Sequence, residues 1–557
     1  MLFYYRKVAA PQLPLETEDT EKMKDRVSLT DFLMYHKETH PISFHMPGHK
    51  GRSTLYGIYG FGDFVKNVVG NDITEIPGAD ALQQPRERIK DIMEGYAGLY
   101  GAKHTELLVN GSSAGLMASI LGSVPRGGKL LMGRNSHKSV YGALRLGGID
   151  PVYIMPEIDS ETGLQLGLDP DKIETALIED PSIKAVLVTS PNYYGVLSDI
   201  ERIASIVHLH GRILIVDQAH GAHLKFFDYL RSEDGLPHRA AENCGADIVV
   251  DSTHKTLLSF TGSAILNICT ERPDVSRISE LLRMLQTTSP SYLLMGSLDI
   301  NQQILRMDGY NLIKNWDSDI KYFYQEAAQI AGLGLIDRID LDETKVSITM
   351  SALGLSGPEL AEELEKRNIW VELTHGDYVM LMTGLGNERG DYEDILAALR
   401  DLSAHYGGRI QGVESESSAS KTESAAQNAA QKQAKNEIQA VAKNETQVAN
   451  KNASQPVDKI AELRTPSSDS ALIERLEQRK IPDTYEEVPL YSAEGRVLYE
   501  SIIPYPPGTP IACPGEVLSK SVILYVRDQL VAQHVVLGVD EEGRVKVESD
   551  CVLFKEI

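Results

Sequence analysis

Three stretches constrain this chain most: "AVLVTSP" at 185–191, "RILIVDQAHG" at 212–221 and "ADIVVDSTHK" at 246–255. Each is a short apolar run, rich in β-branched residues, that ends abruptly in polar side chains, and helix-length segments lie between them. Such runs read as buried strands, and their alternation with helices implies βα units around a mostly parallel sheet. "ELLVNGSSAG" at 106–115 and "GKLLMG" at 128–133 repeat the pattern. Ligands in open α/β sheets bind outside the carboxyl ends of the strands, so the polar clusters are expected to converge. The last stretch also raises a question of charge, because it delivers His254 and Lys255 side by side after a buried strand. A buried lysine is costly as a cation, so it must be paired or lose its charge, and a Schiff base is one chemical answer.

The 557 residues suffice for a large core and two or three further units. The alternation predicts a large domain over 61–310, preceded by an N-terminal arm over 1–60. "KVSITM" and "IWVELTHGDYVMLMTG" predict a smaller α/β unit over 311–410. Residues 411–465 contain a stretch rich in Ala, Gln, Lys, Ser, Asn and Glu without aromatic residues, the composition of a flexible, low-complexity linker. Apolar patterning returns over 466–557, which predicts a small C-terminal α+β domain. A net charge of -24 argues against the nucleic-acid backbone and anionic membrane as partners. The four cysteines form no C-x-x-C pair, which argues against a zinc ribbon or a disulfide framework. The N-terminus has no uninterrupted apolar segment of the secretory kind and no stretch reaches membrane-span length, so a cytoplasmic protein is expected.

Four positions after strands carry candidate chemistry. "VNGSSAG" places Ser112, Ser113 and Ala114 where a strand gives way to a helix, an arrangement that suits a phosphate, although a serine-capped turn explains the segment taken alone. Asp217, at the carboxyl end of "RILIV", needs a cation or donors, and a protonated heteroaromatic nitrogen qualifies. His137, in "RNSHKSV", is an imidazole able to stack on a flat ring. "DSTHK" supplies Ser252, His254 and Lys255. His220 and His223, and likewise His45 and His49, have spacings that raise metal ligation, but no accompanying Glu fits the zincin pattern; hydrogen-bonded pocket or core histidines are the favoured reading, with no metal. Phosphate donors, a stacking ring, an acid for a ring nitrogen and an amine for an aldehyde are together the needs of pyridoxal phosphate.

With "FHMPGHKG", "NDITEIPGADAL", "VNGSSAG", "RNSHKSV", "VTSPNYYGV", "VDQAHGAHL", "DSTHKTL", "LQTTSPSYLLMGSLD" and "YPPGTPIACPGE", the chain resembles the bacterial Orn/Lys/Arg decarboxylases. These strings stand in family order across most of 30–405 and 485–520, and the chain looks like the shorter subgroup, without an N-terminal wing. The resemblance implies the aspartate-aminotransferase-like fold (fold type I) and decarboxylation of arginine, lysine or ornithine with pyridoxal phosphate. It implies that Lys255 carries the cofactor with Ser252 and His254 beside it, that Asp217 holds the ring nitrogen, and that Ser112 and Ser113 take the phosphate. Ala219 would pack beneath the ring and His137 on its other face, with His220 also in the cofactor pocket. Thr288, in "TTSPSY", is implied to reach a neighbouring subunit's cofactor, hence a homodimer or higher assembly. Three positions depart from the family pattern: Gln218 stands for Glu, Gly262 for Gln, and His375 for an Asp that would join Glu372 at the substrate's distal cation. Asp377 replaces that carboxylate only if the loop shifts. These departures leave open altered specificity or a weakly catalytic, regulatory homologue.

Overall fold

The computed structural model describes residues 28–407 and 476–549, except 480, 483, 506–508 and 532–534. The expected linker at 411–465, most of the first half of the N-terminal arm and both ends of the C-terminal domain therefore lie outside the described residues. Contacts divide the chain into two units, the first ending at Ile42. Its helix over Leu29–Glu38 begins with a capping box between Ser28 and Asp31 and buries none of its side chains. All that follows concerns the second unit, from Ser43 onward.

The strands β1 (His104–Leu108), β2 (Lys129–Gly133), β3 (Asp150–Ile154), β4 (Ile183–Thr189), β5 (Ile213–Asp217), β6 (Ile248–Asp251) and β7 (Ala264–Ile268) form one seven-stranded sheet. Their order is β1-β7-β6-β5-β4-β2-β3. Only β7 runs against its neighbours, so the sheet is mostly parallel, as the alternation predicts. The apolar runs are continuous because both faces are covered. Ala185, Leu187 and Ile215 join Leu116 and Ile120 of helix α1 (Gly111–Ser123) and Val140 of helix α2 (Lys138–Gly147) on one face. Val186, Val188 and Val216 join Ile173 of helix α3 (Pro170–Glu179) and Ile203 of helix α4 (Ile200–Leu209) on the other. Neighbouring strands are in matching register, with Thr189 opposite Asp217 and Asp217 opposite Val250, so their polar ends emerge along one edge. That edge carries the site.

Helix α5 (Tyr292–Ala327), interrupted by non-helical backbone at Asp308, leads to a second sheet. Its strands β8 (Gly334–Leu335), β9 (Lys345–Thr349), β10 (Leu373–His375) and β11 (Tyr378–Met382) pair antiparallel in the order β10-β11-β9-β8, with helix α6 (Gly357–Glu365) packed against them. The C-terminal part contains two two-stranded sheets, β12 (Tyr485–Pro489) with β15 (Arg544–Glu548) and β13 (Ile503–Tyr505) with β14 (Val535–Leu537). They enclose a core of their own with helix α7 (Lys520–Val531), built from Leu498, Ile502, Val522, Val526 and Val547. Among the described residues no helix is long and apolar enough to cross a membrane.

Candidate active site

A cavity of about 590 Å³ opens at the carboxyl edge of the seven-stranded sheet. Ser112, Ser113, His137, Asp217, Ala219, His220, Ser252, His254, Lys255 and Glu372 all line it. Nine of these, from 112 to 255, meet in one space because the strands of the sheet deliver their ends to the same edge, and Glu372 joins them from the segment that precedes a strand of the second sheet.

At one end of the cavity α1 begins. Its cap residue is Asn110, whose side chain makes no capping bond, so neither serine serves as the cap of a plain turn. Gly111 has φ +70° and donates its N–H to the carbonyl of Gly262, itself at φ +93°, at 2.8 Å. Both backbones need glycine's access to the left-handed region. The departure at Gly262 therefore anchors the turn that presents Ser112 and Ser113. Uncapped first-turn N–H groups, the helix dipole and two hydroxyls form an anion site suited to a phosphate.

Lys255 stands on a single helical turn, Thr253–Thr256, directly after β6. Burial lowers its amine to about 8, against the opposing pull of Asp217 and Glu372. Its Nζ lies 2.8 Å from Nε2 of His220. Burial, with the nearby charges of Lys255 and Lys345, holds His220 far below its ordinary range, so this imidazole is neutral and accepts a hydrogen bond from the lysine. Burial raises the Asp217 carboxyl, while Lys255 and the N–H of Ala219 pull it back; that N–H is donated to Oδ1 at 3.2 Å. A carboxylate so placed gains from a cation in the cavity.

His137 and His254 are also held neutral. His137 caps α2, accepting the N–H of Ser139 on Nδ1 at 3.2 Å, and burial, reinforced by Lys255 and Lys138, drives it down to about 3. His254 donates from Nδ1 to the carbonyl of Ser263 at 2.6 Å, and burial takes it to about 4. Uncharged and fixed in orientation, His137 suits stacking on a flat ring. Ser252 Oγ, Thr189 Oγ1 and His220 Nδ1 are buried without a hydrogen-bond partner among the described residues, and all three residues line the cavity. Orphaned buried polar atoms are costly, and their grouping here fits a polar, ring-shaped guest. The residues present therefore fit pyridoxal phosphate.

On the opposite wall Glu372 accepts the N–H of Met46 on Oε2 at 2.9 Å and the hydroxyl of Tyr193 on Oε1 at 3.0 Å. The enclosed Lys50 ties this wall together, donating to the carbonyls of His45 at 2.5 Å and Met382 at 2.9 Å. His45, Met46, Asn135, Thr189, Tyr193 and Trp370 also line the cavity and were not singled out by sequence reasoning as its walls. The signal for several of them lay in "FHMPGHKG" and "VTSPNYYGV", strings that matched the family without pointing to particular side chains.

Four of the expected positions do not line this cavity, among them Thr288, which was expected at a neighbouring subunit's. Ala114 is buried in the first turn of α1 and does not line the cavity. Thr288 is exposed and lies outside it. His375 does not line the cavity: its ring packs on Tyr194, with centroids 4.8 Å apart, and Nε2 meets the carbonyl of Gly163 at 3.3 Å. It lies on the buried side of β10, whose burial alternates, whereas Glu372 precedes that strand. Asp377 is exposed in the turn to β11, where no carboxylate is carried into the cavity. The paired histidines are otherwise engaged: His223 donates to Asp342 at 3.1 Å, and His49 accepts the N–H of Gly51 at 3.0 Å. Among the described residues no group of three or more His, Cys, Asp and Glu is gathered to hold a metal ion.

Comparison with known proteins agrees with this geometry. Residues 27–339 match the Orn/Lys/Arg decarboxylase major domain, and 470–538 match the C-terminal domain of the same family. The chain is 30% identical over 519 residues to an arginine decarboxylase of Bacillus subtilis (strain 168), covering 91% of this chain and 94% of that protein. It is 29% identical over 521 residues to an arginine decarboxylase of Bacillus anthracis, covering 91% and 94% respectively. Its fold resembles the constitutive lysine decarboxylase of Escherichia coli, with a TM-score of 0.64 and 20% identity, covering 96% of this chain and 83% of that one. With its mostly parallel sheet, a site fitted to pyridoxal phosphate and a separate C-terminal domain, the chain belongs to the Orn/Lys/Arg decarboxylase family, enzymes of fold type I that bind pyridoxal phosphate.

Proposed function

We propose that this protein decarboxylates a basic amino acid, arginine, lysine or ornithine, releasing agmatine, cadaverine or putrescine for polyamine metabolism. The observation that carries this reading is Glu372, a carboxylate held in the same cavity as Lys255. Bound pyridoxal phosphate would supply an electron sink for the bond that breaks when carbon dioxide leaves. Ser112, Ser113 and the start of α1 would hold its phosphate, Lys255 its aldehyde carbon, and Asp217 the proton on its ring nitrogen. His137 and Ala219 would bracket the ring.

The chain's own groups account for the proton movements. His220, neutral and 2.8 Å from Lys255 Nζ, accepts a hydrogen bond from that amine and orients it, while burial lowers the amine to about 8 and leaves part of it unprotonated and nucleophilic. After carbon dioxide departs, the protonated fraction of the Lys255 amine returns a proton to the substrate's α-carbon, while His254, neutral with its N–H spent on the Ser263 carbonyl, packs beside it as an acceptor. Glu372, oriented by Met46 and Tyr193, faces the substrate's distal ammonium or guanidinium and provides the charge that a neutral amino acid lacks. Exposure of Thr288 outside its own cavity supports a role at the cavity of a second copy, in a homodimer or larger assembly.

The test is Glu372→Gln. Losing one charge-assisted contact to a cation costs about 1.5–3 kcal/mol, so KM for the basic substrate should rise roughly 10- to 100-fold. Cofactor affinity and the visible spectrum should hold. Steady-state kinetics together with a cofactor titration read both effects, and equal losses in the two would contradict the assignment of Glu372.

A further inference from the structure

Thr509, a residue of the C-terminal part, lines the cavity beside residues of the two preceding sheets. The loop that brings it there is held by Arg134, which directly follows β2 and precedes the cavity residues Asn135 and His137. The guanidinium is 2% exposed and all five of its N–H groups are engaged. Nε and Nη2 clasp the carboxylate of Glu516 at 3.1 and 2.8 Å, Nη1 reaches the carbonyl of Pro510 at 2.8 Å, and Nη2 reaches that of Ile511 at 3.3 Å. The fifth bond goes to the hydroxyl of Tyr141 at 3.0 Å, and the rings of Tyr141 and Tyr153 flank the group at 5.6 Å each. Glu516, also buried, accepts the N–H of Cys513 at 2.7 Å and so folds its own loop around the contact.

A buried pair of this kind is a poor source of stability, because two desolvated charges repay their cost only with full satisfaction of every donor and acceptor; its value lies in fixing one geometry. Four of the five donors are spent on residues 510–516, and the loop's first described residue, Thr509, is what they carry to the cavity wall. We infer that Arg134 and Glu516 are a positioning pair that seats the C-terminal domain as a wall of its own chain's active site, with Thr509 as a contact for the amino-acid substrate. This rests on the reading of the cavity given above. The domain thus serves substrate binding, whereas the cofactor is held by the strand ends of the large domain.

The experiment uses the full-length holoenzyme, with hydrogen exchange over 509–516 reporting seating. Substrate affinity is read in two ways, as KM and as the change in the cofactor's visible band on titration with arginine, lysine and ornithine. Glu516→Gln, which keeps the shape and removes the charge, is expected to lose exchange protection over 509–516 and to raise KM at least ten-fold with kcat and cofactor affinity nearly unchanged. If that variant does not accumulate, Arg134→Lys, which keeps the charge and loses the fork, is read in the same way. Thr509→Phe, which fills the wall without touching the pair, should raise KM while leaving protection intact. Retained protection in the pair variant, or unchanged substrate affinity in Thr509→Phe, would overturn the inference. A wild-type protein that releases no carbon dioxide from any of the three amino acids would count against the decarboxylase reading instead, and seating would still be decided by exchange and the band titration.

Discussion

Lys255→Ala is expected to abolish the absorption band that marks covalent attachment of pyridoxal phosphate to the protein and to lower kcat/KM for the basic amino acid by at least about 1,000-fold, or roughly 4 kcal/mol of transition-state stabilisation. The amine is the cavity's nucleophile by environment as well as by type. Burial brings it down to about 8, so a substantial fraction is neutral near physiological pH, and His220 at 2.8 Å orients it by accepting its hydrogen bond. Alanine removes the covalent hold on the cofactor while leaving the anion site at Ser112 and Ser113 and the carboxylate of Asp217 in place. The variant should therefore still bind pyridoxal phosphate, more weakly and with the spectrum of the free aldehyde. An unchanged absorption band would show that another amine carries the cofactor.

Gln218→Glu is expected to destabilise the protein by about 3–5 kcal/mol without reaching the cavity. Gln218 is fully buried, and its amide donates to Glu242 at 3.0 Å and Asp251 at 2.9 Å while its carbonyl oxygen accepts the N–H of Ala241 at 2.8 Å. Asn267 donates to the same two carboxylates at 3.1 Å each. Burial, and then the proximity of Glu242, pushes the Asp251 carboxyl well above its ordinary range, so two amides already serve a strained acidic pair. A glutamate at 218 would keep an acceptor for Ala241 and turn its second oxygen onto two carboxylates. Such a group's affinity for a proton is raised by folding, so the penalty is small below the ordinary carboxyl range and deepens as pH rises from that range up to the group's raised value in the folded protein. Denaturation midpoints measured across that range should show this slope, with KM and the cofactor spectrum unchanged at low temperature. A glutamate variant as stable as the parent would mean that the network tolerates a third acid.

The same network explains why Gln218 looked like a sign of weakened catalysis when read from sequence. It follows Asp217, and adjacent residues at a strand end point to opposite sides; Asp217 takes the cavity and Gln218 takes the interior between β5, β6 and β7. The strands themselves were legible because each is an apolar run buried on both faces, and the cofactor side of the cavity was legible because its residues are local to those strand ends. The substrate side was not. His45, Tyr193, Trp370 and Thr509 reach the cavity from segments far apart in sequence, and no periodicity links them. The pairing of Glu372 with position 375 came from the resemblance alone, and in this chain the side chain at 375 packs on Tyr194 away from the cavity lining.

A cavity that removes carbon dioxide from an amino acid whose far end is positively charged is tested most directly by carbon dioxide release from arginine, lysine and ornithine in parallel, using protein whose bound pyridoxal phosphate is established from its visible spectrum. Strong turnover of at least one of the three is expected, and little with a neutral amino acid of similar length. A protein with fully bound cofactor that releases carbon dioxide from none of them, or equally well from the neutral analogue, would contradict this reading.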